Sequence, residues 1–306
     1  MTPDAIIECV PNFSEGTDAA KVSRIVAAMK VEGVSLLDWS LDTAHNRSVV
    51  TIAGPPAAVI AAAVKSVGKA AELIDLTKQK GVHPRIGAAD VVPFIPVSGI
   101  SLAECAVLAR QAGLLIWRTY GVPVYFYGAA AARPDRVQLE EVRKGQFEGL
   151  REATKRDASR CPDIGGPELH ETAGATAVGA RNFLIAYNVH LHQPDVAAAR
   201  AIARDIRASN GGLHGVKAIG VVANGRAQVS MNITDFRITP MRHIHATIKN
   251  LAQRHGALID DAELIGLLPQ EAYEADSEWV RQIAGFDPAL KVIERRLEHP
   301  LAWPVV

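Results

Sequence analysis

Short apolar runs along this chain alternate with longer stretches in which apolar residues recur at helical spacing. In the first half, the two patterns predict an alternating order of strands and helices. Strands are predicted over residues 5–10, 34–41, 47–53 and 91–97, and helices over residues 19–30 and 55–77. The order strand, helix, strand, strand, helix, strand is the split βαβ, or ferredoxin-like, pattern.

The middle of the chain departs from this order. A helix over residues 102–119 and a strand over residues 122–127 extend or cover the first sheet. A charged helical stretch over residues 138–155 and a loop over residues 157–174 follow. Loops of that length inside a compact protein are usually functional or disordered. The loop is therefore either a ligand-contacting segment or a connector between domains.

The second half repeats the order of the first without an evident sequence repeat. Strands are predicted over residues 182–191, 216–223, 228–233 and 257–266, with a turn signal at Asn224-Gly225, and helices over residues 194–208 and 240–255. We therefore predict an α+β fold of two ferredoxin-like (βαββαβ) subdomains packed around a cleft. The predicted subdomains are residues 1–180 and residues 181–306, the latter with a helical tail. Such a cleft is a natural ligand site.

Composition narrows the class of protein. The 306 residues contain 33 Lys and Arg and 33 Asp and Glu, a balance that argues against a nucleic-acid or membrane-surface protein. Cys9, Cys105 and Cys161 are widely spaced and make neither a disulfide framework nor a CxxC metal site. The N-terminus has no secretory signal pattern. A reducing, cytoplasmic compartment is the expected location.

One loop, Lys80 to Asp90, concentrates an imidazole, a guanidinium and a carboxylate. Pro84 biases His83 toward an extended backbone, and the glycines on either side let the chain turn or approach a ligand. A histidine held in this way is a candidate for proton transfer, because its ordinary pKa lies near working pH. The alternative from these residues alone is a loop histidine with no chemical role.

Three arginines, Arg47, Arg85 and Arg181, lie near strand or loop ends. Guanidinium groups there could bind substrate carboxylates at two points. Ordinary surface ion pairing is the alternative for each of them. Metal and phosphate signals are weak, since no G-x-G-x-x-G follows a strand and the histidine pairs at 190/192 and 243/245 have no third ligand at a supporting spacing.

Several ordered motifs together resemble the glutamate formimidoyltransferase family, with its formiminotransferase domain. They are Val10 to Gly16, His45 to Ser48, Lys80 to Asp90, Pro93 to Val97, Gly121 to Tyr125, Gly174 to Arg181 and Gln228 to Asn232. The resemblance spans about residues 5 to 270. It implies two ferredoxin-like subdomains with folate between them, and transfer of a formimidoyl group from N-formimidoyl-L-glutamate to N5 of tetrahydrofolate, a step of histidine degradation.

The resemblance also implies roles for particular residues. His83 falls on the family's general base, and Asp42 is two positions from Ser40, where animal members carry an acidic residue. Asn46, Arg47, Arg85 and Arg181 are the remaining candidates for substrate binding. Folate-contact segments fall on Ile164, Gly165, Gly166, Pro167, Glu168, Leu169, His170, Glu171, Thr172, Ala173 and Gly174, and on Asn210, Gly211 and Gly212. Tetrahydrofolate is expected as co-substrate without a metal, in a homodimer.

Two departures and two alternatives accompany this interpretation. Animal members carry an aromatic-containing segment in place of His170 to Ala173, and they continue into a cyclodeaminase domain that this chain is expected to lack. Formyl transfer between glutamate and folate on the same scaffold is one alternative function. A folate-binding module without turnover is the other.

Overall fold

A computed structural model describes residues 4–43, 45–81, 83–223 and 225–305. The predicted turn at Ala44, the loop position Val82 and the hairpin position Asn224 lie outside the described residues. The chain divides into two units, one of Met1–Arg181 with Pro300–Val306, and one of Asn182–His299.

The first unit is built on a seven-stranded sheet. Its strands are β1 (Ile6–Cys9), β2 (Asn12–Phe13), β3 (Ser35–Asp42), β4 (Arg47–Gly54), β5 (Ala89–Ser98), β6 (Val124–Gly128) and β7 (Thr176–Ala180). β1 and β2 are two pieces of one interrupted strand, since both pair with β4 on one side and with β5 on the other. Because β3 pairs with β4, the order β3-β4-β1/β2-β5 is the antiparallel ferredoxin-like arrangement, which confirms the predicted fold class.

Beyond β5 the sheet continues in parallel, and here the sequence interpretation was incomplete. β7 lies between β5 and β6 and pairs with both in parallel register. The sequence pattern predicts no strand at β7, because its residues, Thr-Ala-Val-Gly-Ala, have little of the branched and aromatic character that marks strands. Tertiary packing explains the small residues: a Cβ at Gly179 would lie 2.5 Å from the ring of Tyr127.

Helices cover both faces of this sheet. α1 (Ala19–Ala28), α2 (Pro56–Leu73) and α3 (Leu102–Tyr120) enclose the larger core. On the opposite face, α4 (Leu139–Val142) and α5 (Gln146–Ala153) pack a smaller core against β6 and β7. The single helical stretch predicted over residues 138–155 is therefore broken, and Gly145 at φ +90° makes the break.

The second unit repeats the antiparallel arrangement. Its strands are β8 (Ile185–Leu191), β9 (Val216–Ala223), β10 (Arg226–Ile233) and β11 (Ile259–Ile265), in the order β11-β8-β10-β9. Its helices are α6 (Val196–Ile206), α7 (Met241–Arg254), α8 (Gln270–Ala275), α9 (Ser277–Val280), α10 (Pro288–Lys291) and α11 (Ile293–Glu298). The apolar faces of α6 and α7 share one core with the sheet, so the repeated element order is confirmed.

The end of the chain returns to the first unit. The backbone N–H of Leu301 donates to the carbonyl of Leu36 on β3 at 2.8 Å. None of the described helices combines the length and the apolar character that a membrane span requires.

Gly174 joins the start of β7 to the loop that precedes β5, and its replacement provides a test of that connection. It has φ +70°, and a Cβ there would lie 2.1 Å from the carbonyl oxygen of Ile86. We expect Gly174→Ala to lower the free energy of unfolding by roughly 1–3 kcal/mol more than Gly121→Ala, because overpacking adds to the backbone cost. Gly121 is the matched control, with φ +65° and nothing within 4 Å of its Cβ position. Equal losses in urea denaturation would contradict the close approach.

Candidate active site

Three segments of the first unit meet where β2 lies between β4 and β5. Asn12 on β2 is paired with Val49 on one side and with Val91 on the other. Arg47 is the first residue of β4 and Asp90 the second residue of β5, so both lie beside Asn12. The loop that carries His83 leads directly into β5 and therefore ends at the same place.

Asp90 is the centre of this cluster. Its side chain is fully buried. Oδ1 accepts from the backbone N–H of Ile86 at 2.9 Å, while Oδ2 accepts from Nη1 of Arg47 at 3.1 Å and from Nη2 of Arg143 at 2.5 Å. Burial by itself raises the pKa of the Asp90 carboxyl, but Arg143 and Arg47 together hold that pKa below its ordinary value. Asp90 is therefore ionised and joins two guanidinium groups to the His83 loop.

Arg47 lies between Asp90 and His83. Its Nε and Nη2 donate to Oδ1 of Asn12 at 3.0 Å and 2.7 Å, and its Nη1 lies 2.7 Å from Nδ1 of His83. Burial lowers the pKa of Arg47 to about 10, which leaves the guanidinium charged at neutral pH. Arg47 is thus held against the imidazole by a neutral amide and a buried carboxylate.

The protonation of His83 follows from its neighbours. Burial, with the charges of Arg47 and Arg143, lowers the pKa of His83 to about 3, so the ring is neutral at working pH. Its Nδ1 lies 2.7 Å from Nη1 of Arg47 and also 2.7 Å from the carbonyl oxygen of Pro84. A guanidinium only donates and a carbonyl only accepts, so Nδ1 satisfies one of them at a time. A proton on Nδ1 frees Nε2 as a base, whereas a proton on Nε2 makes Nδ1 the acceptor for Arg47.

The turn before β4 adds a second imidazole. The ring centroid of His45 lies 6.4 Å from that of His83 in an edge-on arrangement. Nδ1 of His45 lies 2.6 Å from Oδ2 of Asp42, and Asp42 also accepts from the backbone N–H of His45. The predicted site residue Asp42 thus contacts His45, and the ring of His45 in turn lies beside that of His83.

Asn46, a predicted substrate-binding residue, makes two hydrogen bonds within the protein through its side-chain amide. Its Oδ1 accepts from the backbone N–H of Gly16 at 2.8 Å, and its Nδ2 donates to the carbonyl of Lys80 at 2.7 Å. Asn46 has φ 48°, a conformation that asparagine tolerates better than most residues. Its amide therefore fastens the turn to two neighbouring loops.

Arg85 does not join the cluster around His83. Its Nη1 and Nη2 donate to the Glu148 carboxylate at 3.1 Å and 2.9 Å, and its Nε and Nη2 donate to the side chain and backbone of Gln79. Arg85 is buried, with 6% of its surface exposed. These contacts fasten the loop to α5, and they do not favour the carboxylate-binding role predicted for Arg85.

Arg181 lies at the end of β7, beside the hydroxyl of Tyr127. Its side chain donates to that hydroxyl, and its backbone N–H donates to the carbonyl of Phe94 at 3.2 Å. Burial raises the pKa of Tyr127, and the positive charges of Arg181 and Arg143 partly offset that rise. Arg181 is thus connected to the cluster through Tyr127, and its role toward a substrate stays a prediction.

The predicted folate segment, Ile164 to Gly174, falls into two parts. Ile164 pairs with Val124 of β6, and Gly165 to His170 line a cavity of about 360 Å³ together with Trp117. The second part meets the His83 loop: the backbone N–H of Ala88 donates to the carbonyl of Ala173, and Gly174 pairs with Gly87.

Within this second part, local bonds define a tight turn. His170 and Gly174 exchange two backbone hydrogen bonds, and Nδ1 of His170 accepts from the backbone N–H groups of Thr172 and Ala173. Thr172 also accepts from the backbone N–H of Leu76 at 2.8 Å. Glu171 is exposed at the turn. The ring of His170 is thus engaged in holding the turn.

The other predicted folate segment lies in the second unit, after α6. Oδ1 of Asn210 accepts from Nε of Arg207 at 2.7 Å, and Gly211 has φ 82°. A Cβ at Gly212 would lie 2.3 Å from the carbonyl oxygen of Ile206, so this turn requires glycine there. Contact of these residues with folate stays a prediction.

Four residues of the cluster were missed as site residues. Asn12 and Asp90 lie inside the sequence motifs Val10 to Gly16 and Lys80 to Asp90, which offered a signal for both. Tyr127 lies in a predicted strand, at residues 122–127, but carried no motif. Arg143 lies in the charged helical stretch over residues 138–155, which contains no motif that distinguishes it from its charged neighbours, so its role is visible only in the structure. Among the described residues, no group of three or more His, Cys, Asp or Glu side chains is arranged to hold a metal ion.

Comparison with known proteins identifies relatives over almost the whole chain. The N-terminal subdomain of the formiminotransferase domain matches residues 6–181, and the formiminotransferase domain itself matches residues 186–296. The chain is 43% identical to a glutamate formimidoyltransferase of Streptococcus pyogenes, over 95% of this chain and 98% of that protein. It is 40% identical to a glutamate formimidoyltransferase of Thermoplasma acidophilum, over 96% of this chain and 98% of that protein.

A longer relative matches over a similar stretch. The formimidoyltransferase-cyclodeaminase of Rattus norvegicus is 38% identical, over 87% of this chain and 51% of that protein.

The buried charge of Asp90 can be tested by Asp90→Asn. Removing one partner of a buried ion pair leaves two guanidiniums uncompensated, and we expect a loss of about 3–5 kcal/mol in the free energy of unfolding. Glu72→Gln is the matched control, because its carboxylate also pairs with two cations, Arg24 and Lys69, but is 52% exposed. We expect that control to lose much less, because exposed ion pairs contribute little to stability. Similar losses in both variants would show that Asp90 does not organise the cluster.

The lowered pKa of His83 can be followed by NMR, using the imidazole signal that disappears in His83→Ala. We expect no protonation shift of this signal between pH 8 and pH 5, and an ordinary titration near pH 6.5 in the urea-unfolded chain. Because the unfolded chain then binds a proton that the folded chain does not, the wild type should lose more stability than His83→Ala as the pH falls from 7 to 4. A folded-state midpoint near pH 6.5 would contradict this prediction.

Proposed function

The chain belongs to the formiminotransferase domain family, and from this we propose that it is a glutamate formimidoyltransferase, a one-carbon transferase of histidine degradation. It moves the formimidoyl group of N-formimidoyl-L-glutamate to N5 of tetrahydrofolate, giving 5-formimidoyltetrahydrofolate and L-glutamate. The observation that carries the proposal is a neutral imidazole, His83, held against the Arg47 guanidinium in a buried polar cluster.

The reaction needs a group that accepts and then returns one proton. N5 of tetrahydrofolate attacks the amidine carbon, and a tetrahedral intermediate forms with a new C–N bond. His83 takes the proton that N5 must lose. The bond between that carbon and the glutamate nitrogen then breaks, and His83 returns the proton to the departing nitrogen. The net change is one C–N bond formed and one broken, with His83 restored.

The tautomer of His83 decides which ring nitrogen does this work. With the proton on Nδ1, donated to the carbonyl oxygen of Pro84, the lone pair on Nε2 is free to act as the base. This tautomer requires Nη1 of Arg47 to direct its hydrogens elsewhere, and the Asp90 carboxylate is one acceptor already within 3.1 Å. His83 is thus oriented at Nδ1 and reactive at Nε2.

Two physical effects together account for the rate enhancement of the proposed reaction. General acid–base help from one positioned side chain contributes about 10² to 10⁴ in rate. Holding amine and amidine together contributes the entropy of a bimolecular encounter, which is the larger effect in well-oriented reactions. Neither effect requires a group outside the chain and its two substrates.

The folate is proposed to lie along the turn from His170 to Gly174. The support is local, because residues 173–175 bond to the backbone of residues 86–88, a few positions after His83. Four expectations from the sequence stay predictions. They are a ligand cleft between the two subdomains, folate contacts by Asn210, Gly211 and Gly212, a homodimer and a cytoplasmic location.

The function itself is tested by an assay on the purified chain with tetrahydrofolate and one donor at a time. We expect release of glutamate from N-formimidoyl-L-glutamate at a rate well above that from N-formyl-L-glutamate. A faster rate with the formyl donor would reassign the reaction to formyl transfer. Folate binding without glutamate release from either donor would make the chain a binding module.

The role of His83 is tested by His83→Ala. We expect kcat to fall about 10² to 10⁴-fold, the usual span for a general base, while the affinity for tetrahydrofolate stays within about threefold. His243→Ala, which removes an exposed imidazole from α7, serves as the control and should keep the wild-type rate. Near-normal kcat in His83→Ala would show that another group moves the proton.

A further inference from the structure

Arg143 is the least satisfied charged group of the site. Its Nη2 donates to Oδ2 of Asp90, but its Nε is buried without an acceptor, and no residue in the described part of the chain accepts from its Nη1. Buried donors are rarely left unpaired in proteins, so this one requires an explanation. Asp90 is also shared, since Arg47 donates to the same oxygen. The cluster therefore carries more positive than negative charge.

Arg47 was a candidate from the sequence for binding a substrate carboxylate at two points, but its N–H groups are already directed to other residues. Its Nε and Nη2 are directed to Asn12, and its Nη1 is directed to Asp90 and His83. Binding a carboxylate at two points needs two neighbouring N–H groups of one guanidinium. The Nη1 and Nη2 end of Arg143 is less occupied, because Asp90 contacts Nη2 alone and each of these nitrogens carries two hydrogens.

We propose that Arg143 binds the α-carboxylate of the glutamyl donor. This assignment rests on the proposed function and adds a specificity-determining residue to it. Arg143 is positioned by Asp90, whose Oδ2 lies 2.5 Å from Arg143 and 3.1 Å from Arg47, and Arg47 in turn contacts His83. Arg143 is also partly open to a ligand, with 13% of its side chain exposed.

Covalent connectivity selects the donor's α-carboxylate over the other carboxylates in the reaction. In N-formimidoyl-L-glutamate, the α-carboxyl carbon is two bonds from the nitrogen that leaves, so it must lie near the group that protonates that nitrogen. The γ-carboxylate is two bonds farther away. The glutamyl tail of folate is separated from N5 by the whole aminobenzoyl group. A carboxylate bound beside His83 therefore comes from the donor's α position.

A carboxylate bound to Arg143 would also change which ring nitrogen of His83 carries the proton. The charged and titratable groups around His83 are Arg47 from β4, Asp90 from β5, Arg143 after α4, and His45 with Asp42 from the turn before β4. An added carboxylate offsets the excess positive charge and offers Arg47 another acceptor. Nδ1 of His83 is then free to donate to Pro84, which leaves Nε2 as the base. Donor binding and activation of the base are thus coupled through the two guanidiniums.

The test compares Arg143→Gln and Arg143→Lys with the wild type in steady-state kinetics. We expect Arg143→Gln to raise KM for the donor about 10- to 100-fold, the usual cost of losing hydrogen bonds to a charged group, with KM for tetrahydrofolate within about twofold. Arg143→Lys should recover part of the loss, because lysine restores the charge but not the two-point contact. Arg156→Gln, at an exposed arginine of the same unit, is the charge-matched control and should be unchanged.

Substrate analogues identify the carboxylate. For the wild type, replacing the donor's α-carboxylate by a carboxamide should raise the donor KM as much as Arg143→Gln does. The two changes together should raise that KM little more than either change alone. A donor amidated at the γ position should remain sensitive to Arg143→Gln. If the effect of Arg143→Gln instead disappears with tetrahydropteroate, which lacks the glutamyl tail, Arg143 binds folate and the assignment is wrong.

A binding measurement separates this inference from the proposed function. Titration calorimetry with L-glutamate, which has the same α-carboxylate, should show weaker binding to Arg143→Gln than to the wild type and to Arg156→Gln. Lack of turnover in the wild type together with this difference would overturn the proposed function but not the carboxylate site. Unchanged donor KM and unchanged glutamate affinity in Arg143→Gln would overturn the carboxylate site alone.

Discussion

The candidate site depends on one buried carboxylate. Asp90 has no exposed surface, and it accepts hydrogen bonds from Arg47, Arg143 and the backbone of Ile86. A buried charge is tolerated only where donors replace the water that it has lost. Here the donors come from a strand, from the end of a short helix and from a loop. The requirement to satisfy Asp90 therefore holds three distant parts of the chain in one geometry.

The same arrangement sets the electrostatics around His83. Burial lowers the pKa of the imidazole to about 3, together with the excess of positive charge that results because two guanidiniums share one carboxylate. A neutral histidine suits a step that begins by accepting a proton. A base with so low a pKa is weak, however, until an anion enters. The chemistry of the donor, a dicarboxylate, fits this need.

The fold explains why the cluster lies in the first unit. Both units have the ferredoxin-like strand order, but among the described residues the parallel strands β7 and β6 extend the first sheet alone. The extension adds Tyr127 and Arg181 beside the cluster and gives α4 and α5 a surface to pack against. The break between these two helices presents Arg143 to Asp90, and α5 presents Glu148 to Arg85.

The sequence by itself determined the features that depend on neighbouring residues. Hydrophobic periodicity predicted both βαββαβ orders, and the prolines and glycines of the loop from Lys80 to Asp90 indicated that His83 is held in a rigid, non-helical segment. The resemblance of the ordered motifs to one family was confirmed over nearly the whole chain. Such features are local, since each is set by chain stiffness, side-chain periodicity or a short motif.

The tertiary structure decided which charges meet. Arg85 looked like a ligand-binding group beside His83, yet its guanidinium is paired with Glu148, 63 positions away along the chain. Arg143 belonged to no motif in its charged helical stretch, yet it reaches Asp90 across 53 positions. The small residues of β7 are explained only by its close packing between β5 and β6. A charged side chain has the same local pattern whether it faces water or a buried partner, so only the long-range packing could separate structural arginines from those at the site.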